Sequence, residues 1–332
     1  MNRRLRTWLQ YILFTGGGLF LVWWQLKSMT PLEKKEFYQA IGKTNYWIII
    51  PIVLMSLASH LSRAMRWKLL LEPSGYHPKT ANTFMATMIG YLANAAVPRL
   101  GEVLKCSMLA KYEHLRIDRL VGTIILERSF DLICFALFVG LTIVFQLDLI
   151  GSTLNDYLLV FQQKNEGISW MKLFIICTLV LLAILLIRHL LKKNAGHPII
   201  QKFNQATNGI VDGFKNILKL KKRSAFLLHT LFIWCMYLGQ IFIGFQALEQ
   251  TASLTIGAAC SVLTFASLSM IVTPGGIGSF PIFVMQVLLI YQIESPIGKA
   301  FGWMMWGVST GLILISGLLS MVILPWYNRE KK

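Results

Sequence analysis

Three ionisable side chains, Glu127, Arg128 and Asp131, stand inside an otherwise apolar run of residues 119–147. At a helical rise of about 1.5 Å per residue they lie about 10 to 18 Å in from the basic start of that run. An ionised group at such depth in hydrocarbon costs several kcal/mol unless it is paired or wet, so all three must face protein or water. Spacings of three and four residues place Arg128 with Asp131, and Glu127 with Asp131, on one side of a helix. The expectation is a compact group of one cation and two carboxylates. Arg99, Glu102 and Lys105 follow Pro98 along a short helix end that is able to meet this group, and Arg63 and Arg66 precede it.

The chemistry on offer is capture of an anion. Guanidinium forks hold phosphate oxygens through paired charge-assisted hydrogen bonds better than ammonium does. On this reading Arg99 and Arg128, joined by Arg63 or Arg66, hold an anionic headgroup, and Asn94, Glu102, Glu127 and Asp131 belong to the same substrate-binding set. The same residues also fit a self-neutralising ion network that only orients helices, and Arg63 and Arg66 also fit interfacial anchors. A glycine-rich turn is the second candidate: Gly275, Gly276, Gly278 and Ser279 open a short apolar segment whose first free amides favour an oxyanion. That turn lacks a Walker lysine and is not a GxGxxG between strand and helix.

Catalysis is a competing use of these carboxylates. Glu102, Glu127 or Asp131 acting as a base in a desolvated pocket would suit a transferase working on a lipid phosphate. No nucleophile with an adjacent base and no DxD pair stands in the sequence, and His60, His77, His114, His189, His197 and His229 are dispersed, mostly near span ends. They read as interfacial rather than as metal ligands. The five cysteines, Cys106, Cys134, Cys177, Cys235 and Cys260, are scattered and fit small packing residues. Neither metal nor cofactor is expected.

The elements that must position these groups are set by hydropathy. Hydrophobic residues make up 55% of the 332 positions and charged residues 14%, against about 25% charged in a soluble domain. Apolar runs near residues 8–26, 46–62, 119–147, 169–187, 225–247 and 300–324 are long enough to cross hydrocarbon. Backbone amides in lipid must bond internally, so each run should be helical. The first follows Arg3, Arg4 and Arg6 as a secretory signal would, but it has no small-residue cleavage site and ends in Trp23, Trp24 and Gln25, so an uncleaved helix is expected.

Charge then orders the spans. Twenty-four of the 32 basic residues fall at positions 3–6, 63–79, 99–119, 188–223 and 329–332, which a cytoplasmic N-terminus would place on one side under the positive-inside bias. Topology thus accounts for the net charge of +17 without nucleic acid. The expected location is the cell (inner) membrane, multi-pass, with both termini cytoplasmic. Under the same bookkeeping residues 81–104 and 253–293 each begin and end on one side. Both are interrupted, the first by Asn94, Pro98 and Gly101, the second by Pro274, Gly275, Gly276, Gly278 and Pro281; glycine tolerates positive φ and proline breaks the amide ladder. Residues 279–293 make only about 22 Å of helix, short of the ~30 Å core.

The fold class expected is therefore an all-α polytopic membrane protein, residues 1–332 forming a single transmembrane domain. It has six clear transmembrane helices plus two broken or re-entrant helical hairpins, at 81–104 and 253–293, that enter from opposite faces. Paired interrupted segments of this kind point to a transport site, although two plain hairpins with turn residues would read alike. Residues 197–220 repeat Ile199, Phe203, Ile210, Phe214 and Ile217 at helical spacing and fit either an interfacial amphipathic helix or a linker helix packed on its own protein. Trp23, Trp24, Trp47, Trp67, Trp303, Trp306 and Trp326 read as belt residues at the membrane interfaces.

The stretches RAMRWKLLLEPSGY, GYLANAAVPRLGEVLKCSMLAKYEHLRIDRLVGTIILERSFDL and PGGIGSFP resemble the flippase-like membrane family. That family includes the membrane portion of lysylphosphatidylglycerol synthase and stand-alone relatives. The most specific piece is N-x-x-x-P-x-x-G-E followed by E-R-x-x-D, carried here by Asn94, Pro98, Gly101 and Glu102 and by Glu127, Arg128 and Asp131. The resemblance covers essentially the whole chain. It implies translocation of a lipid headgroup between leaflets, of a phospholipid or a lipid-linked polar group, without the soluble aminoacyl-transferring domain of the full synthase. The expected partner is a membrane lipid bearing an anionic phosphate. A second copy of the chain, in a homo-oligomer, or a lipid-synthesis protein is the further partner considered, and a non-transporting partner of a lipid synthase is the further functional reading.

Overall fold

The computed structural model describes residues 3–97, 100–145, 220 and 222–329, apart from the side chains of residues 3–15 and of Ala96. Among them every regular element is helical: α1 (Arg3–Ser28), α2 (Pro31–Gly42), α3 (Ile49–Leu71), α4 (Thr80–Ala96), α5 (Leu100–Glu113), α6 (Ile117–Phe145), α7 (Arg223–Gly244), α8 (Ile256–Val272), α9 (Ser279–Ile290) and α10 (Ser295–Tyr327). The chain forms two compact units, Met1–Arg128 with Ile217–Lys332, and Ser129–Asn216. Of the second unit the described residues are the later turns of α6. The expected span at 169–187 and, but for Leu220, the expected amphipathic helix at 197–220 lie outside the described residues.

Among the described residues, four helices are long and apolar enough to cross a membrane: α3 with its flanking 3-10 turns (Tyr46–Ser74), α6, α7 with its following turn (Arg223–Ala247) and α10. Their lengths, about 38 to 50 Å at 1.5 Å per residue, exceed the hydrocarbon thickness. A short α2 follows α1 because Thr30 and Glu33 form a capping box ahead of Pro31. The Thr30 amide donates to Glu33 at 2.8 Å and holds that carboxyl below its ordinary range, as a hydrogen bond to the charged form must.

The four remaining helices of the first unit are too short to span. α4 and α5 reach about 26 and 21 Å, α8 and α9 about 26 and 18 Å. They form two hairpins, α4–α5 and α8–α9, laid end to end along α10. Met285 of α9 packs at Gly298, near the start of α10. Pro281 abuts Gly302, and the Trp306 indole donates to the Gly275 carbonyl at 2.8 Å. Further along, Gly317 meets Leu92 and Met88 of α4, and Asn328 exchanges hydrogen bonds with Asn82 at 2.9 and 3.0 Å. The second hairpin therefore opens beside the start of α10 and the first beside its end. The tips meet in between: a Cβ on Gly275 would stand 3.6 Å from the Ala95 Cα. The two hairpins thus open toward opposite ends of α10, as entry from opposite faces would require.

Candidate functional site

Arg63, Arg66, Lys105 and Glu127 come together from α3, α5 and α6. The Glu127 carboxylate lies 3.3 Å from Arg66, 3.8 Å from Arg63 and 3.1 Å from Lys105. Glu127 and Arg66 are essentially inaccessible, and Lys105 and Arg63 nearly so. Depth follows from helix position: Arg66 stands about 8 Å from the end of α3, Lys105 about 12 Å from the end of α5, and Glu127 about 15 Å into α6. Those three ends lie on the side where the first hairpin opens, since Lys68 near the end of α3 bonds Thr80 at 2.7 Å and Glu113 accepts from the Lys79 amide at 2.9 Å.

Charges at this depth need more than one another. Arg66 also donates to the Thr230 hydroxyl at 3.2 Å and lies 5.5 Å above the Phe226 ring. The Lys105 ammonium sits 4.0 Å over the Trp67 ring, whose indole donates to Thr123 at 2.9 Å. Cation–π contact of this kind strengthens once water is excluded.

The expected grouping is corrected in one respect. Arg128 does not share the Glu127 face; it pairs with Glu102 at 3.4 Å, both side chains about two-fifths exposed. Successive helical residues differ by about 100° in direction, so Glu127 turns into the buried contact of α3 with α5 while Arg128 reaches the half-exposed start of α5 at Glu102. Asp131, one turn further along α6, is half-buried and takes part in polar contacts of its own. Arg99 and Pro98 lie outside the described residues. Expectations about three single residues also change. Trp67 is fully buried within the charged cluster and Trp306 holds the second hairpin, so neither is a belt residue, whereas Trp23, Trp24, Trp47 and Trp326 are exposed. His60 is buried, its ring 5.1 Å from that of Tyr91, and is not interfacial.

The hairpin turns are built differently. At the first, the Asn94 side-chain oxygen accepts from the Gly101 amide at 2.8 Å, and Gly90 and Gly101 allow α4 and α5 to touch along their backbones. At the second, Gly275, Gly276 and Gly278 all have positive φ, near 59°, 71° and 71°, a region other residues rarely enter. Gln25 of α1 donates to the Gly278 carbonyl at 2.7 Å, as Trp306 does to Gly275. The Ser279 hydroxyl is buried against Thr273 at 2.6 Å and the Ser269 carbonyl at 2.9 Å. Pro274 and Pro281 flank this turn, both buried. Removing either carbonyl cap, in Gln25→Leu or Trp306→Phe, should leave a buried acceptor short of a donor and cost about 1–3 kcal/mol. Thermal unfolding in detergent measures this, and unchanged melting in both variants would contradict it.

Lys105, Tyr91 and Thr230 have no place in the expected headgroup set, and Trp67 stands in the sequence only as a belt residue. One pattern points to part of the set: His60, Arg63 and Trp67 recur at three and four residues in an apolar span, marking one polar stripe down α3. The structure also places the Ser62 hydroxyl 2.8 Å from His229 Nδ1, a pair that no spacing in the sequence reveals.

A family model described as the lysylphosphatidylglycerol synthase TM region matches residues 8–325. A UPF0104 membrane protein of Methanocaldococcus jannaschii is 24% identical over 302 residues, covering 86% of this chain and 87% of that protein. No solved structure matches the chain.

Proposed function

We propose, from the fact that this chain belongs to the family of the lysylphosphatidylglycerol synthase transmembrane region, that it moves a phospholipid or a lipid-linked polar headgroup between leaflets. The observation that carries this reading is the meeting of two short hairpins, opening on opposite sides, next to a buried cluster of arginine, lysine and glutamate. Helices that stop short of the far side need less apolar barrier between them than full spans do, and broken helices of this kind are the usual frame of a transport site. Charged side chains inside a membrane mark substrate paths. The basic residues at the first hairpin's open side fit a cytoplasmic orientation of that side. Acyl chains would stay in lipid while the polar end crosses.

The purified chain in vesicles should speed the bleaching of a labelled anionic phospholipid by an external reductant. Arg128→Ala, which removes the half-exposed guanidinium beside Glu102, should slow it about tenfold. Equal rates with and without protein across a panel of lipids would reject transport. A membrane-embedded transferase is the second reading, favoured by the Ser62–His229 contact, a hydroxyl with a neighbouring base. Radiolabelled lipid converted by the parent chain and not by Ser62→Ala, with flux absent from both, would select it.

A further inference from the structure

Tyr91 and His60 hold buried polar atoms that bond nothing: the Tyr91 hydroxyl and His60 Nδ1 both lack a hydrogen-bond partner. Unmet polar atoms in a protein interior are rare, and each carries a desolvation cost unless a ligand or water meets it. Two of them occur side by side. The rings are 5.1 Å apart, and the residue exposure of His60 is 7%. Their level differs from that of the Glu127 cluster. His60 stands about 17 Å into α3 and Tyr91 about 8 Å from the tip end of α4, so the pair sits between the cluster and the seam where the hairpins meet. Arg63, one turn along α3 from His60, acts electrostatically on both side chains. Tyr237 of α7 is the next polar ring within electrostatic reach of Tyr91.

We propose that Tyr91 and His60 form a binding subsite for a phosphate oxygen of the transported headgroup, reached after the cluster and before the seam; this rests on the transport reading above. A phenol donates a hydrogen bond, and an imidazole does so when its proton is on Nδ1. A phosphate oxygen entering beside Arg63 would accept from these donors. An apolar headgroup offers neither atom a partner, and a cationic ammonium would be repelled by the guanidinium. The class selected is therefore an oxyanion, either on a lipid or as free phosphate.

Tyr91→Phe removes only the unpartnered hydroxyl. Because the hydroxyl bonds nothing in the fold, its loss should leave the melting temperature in detergent unchanged or raised. Flux of labelled phosphatidylglycerol in vesicles should nevertheless fall about tenfold, as loss of a hydrogen bond to a charged group predicts. His60→Phe should fall similarly, and Tyr237→Phe much less. In detergent, short-chain phosphatidylglycerol should raise the melting temperature of the parent chain more than that of Tyr91→Phe, with inorganic phosphate run beside it. Stabilisation by short-chain lipid but not by inorganic phosphate supports a lipid-borne oxyanion. Equal stabilisation of parent and Tyr91→Phe by both probes, or undiminished flux in Tyr91→Phe, overturns the subsite while leaving transport standing. Absence of flux in the parent chain itself rejects transport, and the melting comparison then decides the subsite alone.

Discussion

Glu127→Gln should be the most damaging single substitution in the chain. It withdraws the carboxylate that Arg63, Arg66 and Lys105 approach together within 3.8 Å, in surroundings where water cannot take its place. Breaking a buried ion pair by removing one partner costs about 3–5 kcal/mol, and here one removal affects three cations. The expected result is a severe loss of folded protein in membranes and a melting temperature far below that of the parent. Adding Lys105→Met to Glu127→Gln should restore part of the loss, because the ammonium would no longer face a missing partner. A double-mutant cycle by thermal unfolding reads that coupling. Additive losses would mean that Lys105 and Glu127 act independently, against the 3.1 Å contact.

Gly101→Ala should come next. A methyl group there would run into the Gly90 carbonyl and stand 2.6 Å from the Asn94 side chain, so α5 would have to move off α4. Relief by a side-chain shift is unavailable, since the obstacle on α4 is backbone. Overpacking of this kind costs about 1–3 kcal/mol, occasionally more, and it also breaks the Asn94 bond to the Gly101 amide. Loss of flux together with a lowered melting temperature is expected, while Gly122→Ala, on α6 with open space around it, should change neither. Normal flux in Gly101→Ala would show that the close approach of the two helices is not needed.

The hairpins were legible because their signals are local. Proline and glycine interrupt helices by covalent geometry, and flanking charges fix which side each end occupies, so 81–104 and 253–293 could be read from sequence as returning segments. The charged site was only half legible. Glu127 and Arg128 are neighbours in sequence and diverge in space, because what each one meets depends on the helices to either side. Arg63 and Arg66 look like interfacial anchors until α5 and α6 are placed against α3. Trp67 and Trp306 illustrate the same limit: an indole near a span end has a default place in the belt, and only the packing of α5 over one and the turn at Gly275 against the other override it.

Helix α10 has a bearing on biogenesis. It is translated after both hairpins, yet Gly298, Gly302 and Trp306 hold one of them and Gly317 and Asn328 the other. Until it inserts, four helices too short to cross the bilayer have no continuous wall to lie along, and their turns would present unmet amides and carbonyls to acyl chains. Assembly must then wait for the ribosome to deliver this strut, with the earlier long spans inserted first and the two returning segments settling last.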